Sequence, residues 1–273
     1  MHLLWRVNLA TGQAEAIGAT GFLDMEGLAF DSAGVLFGAD DESKTLLTLN
    51  LNSGNGIPIG NTKTNMNVPI GQAMDFGLTL TCDDQLLVVS DYRQSLFTAD
   101  ATSGQLVRIG TEGSLGAPIT GIAAWGSQVL GIGQGINADG NLDAPNLYRI
   151  NIDTAEAELI GPLGSQVSPY ANAGLAFDAD GRLWAVTDRR DNGEPDLASE
   201  ILRIDIQTGS AQKIADADVV GFESLAIAAP GGCQLQGGPA AAMTIPTNNR
   251  FGLGLLSMFL LLLSGWTLHT RQR

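Results

Sequence analysis

Histidine is almost missing: the 273-residue chain has two, His2 and His269, one at each end. That scarcity excludes Ser-His-Asp triads and histidine metal sites from a folded body lying between them. Cysteine is as rare, and Cys82 and Cys233 stand 151 residues apart, a spacing that belongs to no metal motif. They read as two free thiols, or as one bridge in an oxidising compartment. Basic residues are also few, 14 Lys and Arg against 29 Asp and Glu. Residues 245–273 hold three Arg and no acid, so the rest of the chain sets 11 bases against 29 acids. A body that acidic repels phosphate backbones, which excludes nucleic acid as a partner. Aromatic residues make up 6%. Trp5, Trp125, Trp184, Tyr148, Phe30 and Phe177 fall in strand patterns and are expected in the core. Tyr92 and Tyr170 fall in loops.

What the chain does have is 35 Gly and 10 Pro, with short apolar runs bounded by Gly, Asp, Asn and Ser. That pattern is all-β. It also repeats. Gly27-Leu28-Ala29-Phe30-Asp31 returns as Gly174-Leu175-Ala176-Phe177-Asp178, and more weakly as Ser224-Leu225-Ala226-Ile227. Gly77-Leu78-Thr79-Leu80 and Gly121-Ile122-Ala123-Ala124 fill the gaps. Positions 28, 78, 122, 175 and 225 are spaced by 50, 44, 53 and 50 residues. A second marker keeps the same beat. The turns Thr11-Gly12, Ser53-Gly54, Ser103-Gly104, Thr154-Ala155 and Thr208-Gly209 each precede a strand ending at Ile17-Gly18, Ile59-Gly60, Ile109-Gly110, Ile160-Gly161 or Ile214-Ala215.

Each unit therefore reads as four antiparallel strands, and a four-stranded sheet repeated at this period is a β-propeller blade. The expected fold is a propeller of about five blades over residues 1–229. The order resembles propellers whose repeats run Gly-apolar-Ala-apolar-Asp, an Asp-Gly turn, then three further strands. In that pattern the first strand lines the central channel, where small residues such as Ala29, Ala176 and Ala226 fit. Four blades lie between Gly27 and Ala215, and the fifth is divided between Ser224–Ala228 and Leu4–Ile17. That division leaves the fifth blade one strand short ahead of Leu4. Met1–Arg6 also has neither the basic start nor the apolar run of a signal peptide. Both features lead to the expectation of a true start upstream of Met1.

Residues 230–244 read as a flexible linker. The tail, 245–273, contains an uncharged apolar run over 251–268 whose eighteen residues would span about 27 Å as a helix. The segment resembles bacterial C-terminal sorting signals of the IPTL-CTERM type, relatives of PEP-CTERM. Ile245, Pro246, Thr247, Phe251, Gly252, the apolar span, Arg271 and Arg273 match that pattern. Asn248 and Asn249-Arg250 depart from it. The resemblance implies export, a membrane contact through the helix, and a sorting or processing protease as partner. With basic residues after the span, the C-terminus is expected in the cytoplasm and the propeller outside the inner membrane, in the cell envelope.

Three acidic groupings bear on chemistry. Asp139 and Asp143 flank Gly140 in Asn137–Asp143, which alternates oxygen ligands as calcium loops do but lacks the downstream Glu; a polar loop explains it as well. Asp40-Asp41-Glu42 and Asp188–Asp196 read as loops between second and third strands, the latter pairing its own Arg189 and Arg190. Positions just before the innermost strand are sharper candidates, because they fall at one mouth of the channel. Glu26 and Glu223 occupy equivalent places there, with Asp24, Asp75 and Asn172 nearby. Some propeller hydrolases and lactonases hold a divalent metal in such a place with Glu, Asn and Asp. Two functions follow. The first is a non-catalytic, envelope-anchored module for a protein or glycan ligand. The second is a calcium-dependent hydrolase of lactonase type using Glu26, Glu223, Asp75 and Asn172.

Overall fold

Continuous apolar runs such as Leu86-Leu87-Val88-Val89 form strands buried on both faces, because each sheet is packed between two others. In the computed structural model, residues 2–135, 145–190 and 197–227 are described, and all lie in one compact unit spanning residues 1–233. Four antiparallel sheets of four strands follow one another. The first comprises β3 (Met25–Phe30), β4 (Leu36–Asp40), β5 (Thr45–Leu49) and β6 (Gly56–Pro58), and the second β7 (Phe76–Leu80), β8 (Leu86–Ser90), β9 (Ser95–Ala99) and β10 (Leu106–Ile109). The third comprises β11 (Ile119–Trp125), β12 (Gln128–Gly133), β13 (Asn146–Asn151) and β14 (Glu156–Pro162). The fourth comprises β15 (Tyr170–Phe177), β16 (Leu183–Arg189), β17 (Ala198–Ile204) and β18 (Ala211–Val220). A fifth position holds only the hairpin β1 (Leu3–Val7) and β2 (Ala14–Ala19).

Alternation of side chains along a strand explains the packing. In β8, Leu86 and Val88 join the cluster shared with Phe37, Ala39 and Leu46 of the first sheet. Leu87 and Val89 turn the other way, onto Ile119, Ile122 and Val129 of the third. Every blade interface is built this way, at about 1.5–3 kcal/mol for each large apolar side chain fully buried.

The two sequence markers meet across neighbouring blades. The Thr208-Gly209 turn lies against Gly161 at the end of β14, and a Cβ on Gly161 would fall 2.2 Å from the Thr208 carbonyl oxygen. Ser53 meets Gly18 in the same way, at 2.1 Å. Between the fourth blade and the β1–β2 hairpin Asp218 accepts from the Ala14 amide at 2.9 Å, and its own amide donates to the Gly12 carbonyl at 3.1 Å. The hairpin of each blade thus seats on the closing strand of the one before, and the β1–β2 hairpin links the fourth blade back to the first.

Around the axis the inner strands crowd at their glycines. A Cβ on Gly121 would lie 2.3 Å from the Ala173 carbonyl oxygen, and neither blade can yield without breaking its own ladder. Gly121→Ala is expected to cost about 1–3 kcal/mol. In a domain near this size that lowers the melting temperature by roughly 5 °C, measurable by circular dichroism. An unchanged melt would mean that the inner strands are not locked together.

Two expectations need correction. The inner strand of the fifth blade does not form: residues 221–227 lie beside Gly174 in the inner-strand position but, among the described residues, join no sheet. Tyr170 is not a loop residue; it opens β15, is fully buried, and donates to the Gly133 carbonyl at 2.6 Å. Of the two readings of the cysteines, the disulfide holds for Cys82, and Cys233 lies outside the described residues. Among the described residues no helix is long and apolar enough to cross a membrane. The expected linker and span, and Ile245, Pro246, Thr247, Phe251, Gly252, Arg271 and Arg273, all lie outside them.

Candidate metal centre

Second strands deliver acids to one mouth of the channel. The residue after each strand is fixed by a backbone bond to the loop that precedes its inner strand. Asp41 N donates to Asp24 O at 2.8 Å, Asp91 N to Asp75 O at 3.3 Å, and Gln134 N to Pro118 O at 2.8 Å. Asp41, Asp91 and Gln134 are therefore equivalent. The position before the inner-strand glycine holds Glu26, Phe76, Thr120 and Ala173, with Glu223 in the corresponding place before Ser224. Asp40 and Asp188 tie the adjoining loops: Asp40 Oδ1 accepts from Asp24 N at 2.8 Å, and Asp188 Oδ1 from Asn172 N at 2.7 Å.

Carboxylate oxygens of Asp24, Glu26 and Asp41 come within 4.8 Å of one another. Glu26 is buried, and its Oε2 accepts the Phe76 amide at 2.7 Å across the blade boundary. Asp24 belongs also to a second group with His2 and Glu223. His2 Nδ1 accepts the Met25 amide at 2.9 Å, so in the neutral ring Nε2 carries the proton. One of its ring nitrogens lies within 4.8 Å of carboxylate oxygens of both Asp24 and Glu223. The three-carboxylate group is the one made of hard oxygen donors, which suits calcium or magnesium.

Few cations balance these charges. Lys44, 2% exposed, lies 2.5 Å from Asp41 Oδ1, and Arg190 Nε donates to Asp188 Oδ2 at 2.8 Å. Against them stand Asp24, Glu26, Asp41, Asp75, Asp91, Asp188 and Glu223. Burial, followed by the Asp75 charge, raises Glu26 and Asp91 well above the usual carboxylate range. Burial also raises Asp24, Asp41 and Asp188, the last two opposed by Lys44 and Arg190. Glu223 is pushed up to about 8 by burial and then by the charges of Asp188 and Asp24.

Asp75 is the charge common to this network. Its backbone has φ of 48°, in the left-handed region that aspartate and asparagine tolerate better than other residues with a side chain. Asp91 is 2% exposed, and neither carboxylate oxygen has a hydrogen bond of good geometry. Its polar neighbours are the Asp75 carboxyl and the Tyr92 amide. A buried acid left in this state is costly unless something positive joins it.

Of the expected ligands, Glu26, Glu223 and Asp75 reach the mouth. Glu26 and Glu223 fall in different three-residue groups. Asn172 lies alongside, its Oδ1 accepting from the Thr120 hydroxyl at 3.3 Å. Asp139 and Asp143 lie outside the described residues. Sequence reasoning missed Asp41, Asp91 and His2. An acid at the end of the second strand recurs in Ala39-Asp40-Asp41, Val89-Ser90-Asp91 and Val186-Thr187-Asp188, and that recurrence could have found the first two. The exclusion of histidine from the body was wrong. Position 2 immediately precedes β1 and is drawn to the mouth by the Met25 bond.

Beneath the cluster a space of about 10 Å³ remains between the inner strands, bordered by Gly27, Gly77, Gly121, Gly174 and Ser224.

No protein-family model and no curated protein matches the chain. Solved structures do. A gluconolactonase from Xanthomonas campestris is 14% identical over 77% of this chain and 68% of its own, with a TM-score of 0.49. A virginiamycin B lyase from Staphylococcus aureus is 14% identical over 70% of this chain and 69% of its own, at 0.41. A structural-genomics protein from Bacteroides thetaiotaomicron is 16% identical over 70% of this chain and 43% of its own, at 0.44.

Proposed function

We propose that the protein is a divalent-cation-dependent hydrolase acting on small, uncharged esters or lactones at the channel mouth. The observation that carries this reading is the crowding at the mouth, where Asp24, Glu26 and Asp41 bring carboxylate oxygens within 4.8 Å of one another and Asp91 lies buried against the Asp75 carboxyl. Asp24, Glu26 and Asp41 would hold the ion, with Asp75 and Asp91 supplying further charge. Calcium suits their oxygen donors best. A bound ion there supplies a Lewis acid for a substrate carbonyl and lowers the pKa of water.

The chain's own groups do the rest. Glu223, titrating at about 8 and only partly covered, is poised to move a proton near neutral pH. Lys44 holds Asp41 in place. Surplus acids at the mouth disfavour anionic substrates, which selects neutral ones. The sorting-type tail would place this chemistry in the cell envelope, and a disulfide at Cys82 fits an oxidising compartment.

The test is hydrolysis of neutral five- and six-membered lactones and an aryl acetate, with calcium and with chelator. Turnover should require the ion and fall at least a hundredfold in Glu223→Gln while calcium is still bound. Calcium binding with no turnover on any neutral ester would defeat the hydrolase reading and restore the non-catalytic module, held in the envelope by its tail.

A further inference from the structure

The connections between blades are short at two junctions and long at one. Nine residues join β10 to β11 and seven join β14 to β15, whereas seventeen, 59–75, separate β6 from β7. The extra length folds onto the second blade. Asn65 uses its side-chain amide as a strand uses its backbone, accepting from Leu46 N and donating to Leu46 O, each at 2.8 Å. The Met66 carbonyl then accepts from the Leu106 amide of β10 at 3.2 Å. Beyond this anchor residues 67–73 are mostly exposed. Between them and the outer strands lies a cavity of about 350 Å³, within the size range of small-molecule sites.

Two guanidiniums line this cavity, in a chain where bases are scarce. Arg108 stands on β10 opposite Phe97 of β9, its guanidinium carbon 5.5 Å from the ring centroid. Arg93 stands on the loop after β8, where its amide donates to Ser90 Oγ at 3.2 Å and its carbonyl accepts from Ser95 Oγ at 2.8 Å. One acid serves both. Glu112 places Oε1 3.3 Å from Arg93 and Oε2 3.3 Å from Arg108. Among the described ion pairs this is the one place where two basic side chains share a single acid; Arg189 and Lys213 share Glu200 and Asp216. Glu112 itself is half exposed, and surface pairs of this kind contribute little to stability. The other walls include the apolar side chains of Val68, Pro69, Phe97 and Leu106.

We infer that this cavity binds a small organic monocarboxylate, its carboxylate held between Arg93 and Arg108 and its apolar body lying on Val68, Pro69 and Leu106. Planar guanidiniums match the paired oxygens of a carboxylate. Glu112 marks the place, since one carboxylate there meets both of them. It is also the competitor. With Glu112 in position the lining carries one surplus positive charge, and a second carboxylate enters by displacing the first. None of the acids grouped at the mouth lines this cavity, so binding here needs no cation and no hydrolysis there.

The test is calorimetric titration of the full chain, freed of divalent cations on a chelating resin, with hexanoate, hexanamide and inorganic phosphate. Hexanoate should bind and hexanamide should not. Loss of one charged partner should weaken hexanoate about tenfold in Arg93→Gln and in Arg108→Gln. Glu112→Gln should do the opposite and tighten it about tenfold, because the competitor is gone while both guanidiniums stay. A melting curve shows whether each variant is folded; Glu112→Gln alters a half-exposed side chain and keeps the test open if an arginine variant is not. Hexanoate bound no tighter by Glu112→Gln than by the parent, or not at all, would overturn the assignment. So would hexanamide binding like hexanoate, which would remove the arginines from it. Phosphate binding as tightly as hexanoate would overturn it too, since the apolar walls would then contribute nothing.

Discussion

Stripped of divalent cations, the protein should melt higher at pH 5 than at pH 8, by on the order of 10 °C, and calcium should restore the loss at pH 8. The sign follows from the mouth carboxylates. Glu223 titrates at about 8 in the folded chain against an ordinary 4.5, and Glu26 and Asp91 are raised well above their ordinary values. An acid raised by folding binds more protons folded than unfolded. Its contribution is therefore complete below the unfolded value and drains away as pH rises through the folded one. For Glu223 that window runs from about pH 4.5 to 8, and a shift of that size is worth several kcal/mol at the upper end, on the order of 3–5. The acids held down by turn hydrogen bonds, Asp100 by Thr102 and Asp205 by the Gln207 amide, act only at lower pH. Calcium at a hundred times its dissociation constant adds about 2.7 kcal/mol, or roughly 5–10 °C in a domain near this size. General repulsion in a chain of net charge -15 has the same sign, so sodium chloride at matched ionic strength is the control. Salt screens the surface but not the buried cluster. A flat profile from pH 5 to 8 with no calcium response would mean that the mouth is hydrated and holds no ion.

The blade architecture was legible because each blade repeats the same physical solution. A Gly-apolar-Ala strand, an apolar strand buried on both faces, and a Thr/Ser-Gly hairpin recur, and the recurrence is the sequence signal. The hairpin and closing-glycine markers even proved to be contact partners, Thr208 on Gly161 and Ser53 on Gly18. The fifth blade was legible in outline. That Ser224–Ile227 would join no sheet was not, since the sequence fits a strand and the failure comes from the empty neighbouring position. The site was half legible. Glu26 and Glu223 were found from one repeat position, but Asp41 and Asp91 stand at another and look like ordinary loop acids until the Asp41–Asp24 and Asp91–Asp75 backbone bonds bring the two positions together. His2 could not be found from its repeat position, because the equivalent residues Lys44 and Gln94 share no chemistry with it.

Two substitutions of one type on adjacent blades should act in opposite directions. Asp91→Asn removes a buried acid that lies against the Asp75 charge. Its amide can donate to Asp75 while its size is unchanged. The metal-free variant should melt several degrees higher than the parent at pH 8, yet bind calcium at least tenfold more weakly. Asp41→Asn does the reverse to its own surroundings. Lys44 is almost wholly buried, with its ammonium 2.5 Å from Asp41 and facing the Phe76 ring at 5.8 Å. Removing one partner of a buried pair leaves the other charge stranded, at a cost of about 3–5 kcal/mol. That variant should melt on the order of 10 °C lower and also lose calcium affinity. Melts with calorimetric titration of both variants read stability and binding apart. Such a divergence is the signature of a site whose acids are held together against their own repulsion for a cation: binding falls in both variants while stability moves up in one and down in the other. If both variants lose stability alike and Asp91→Asn binds calcium as the parent does, Asp91 is a structural residue and the cluster needs no ion.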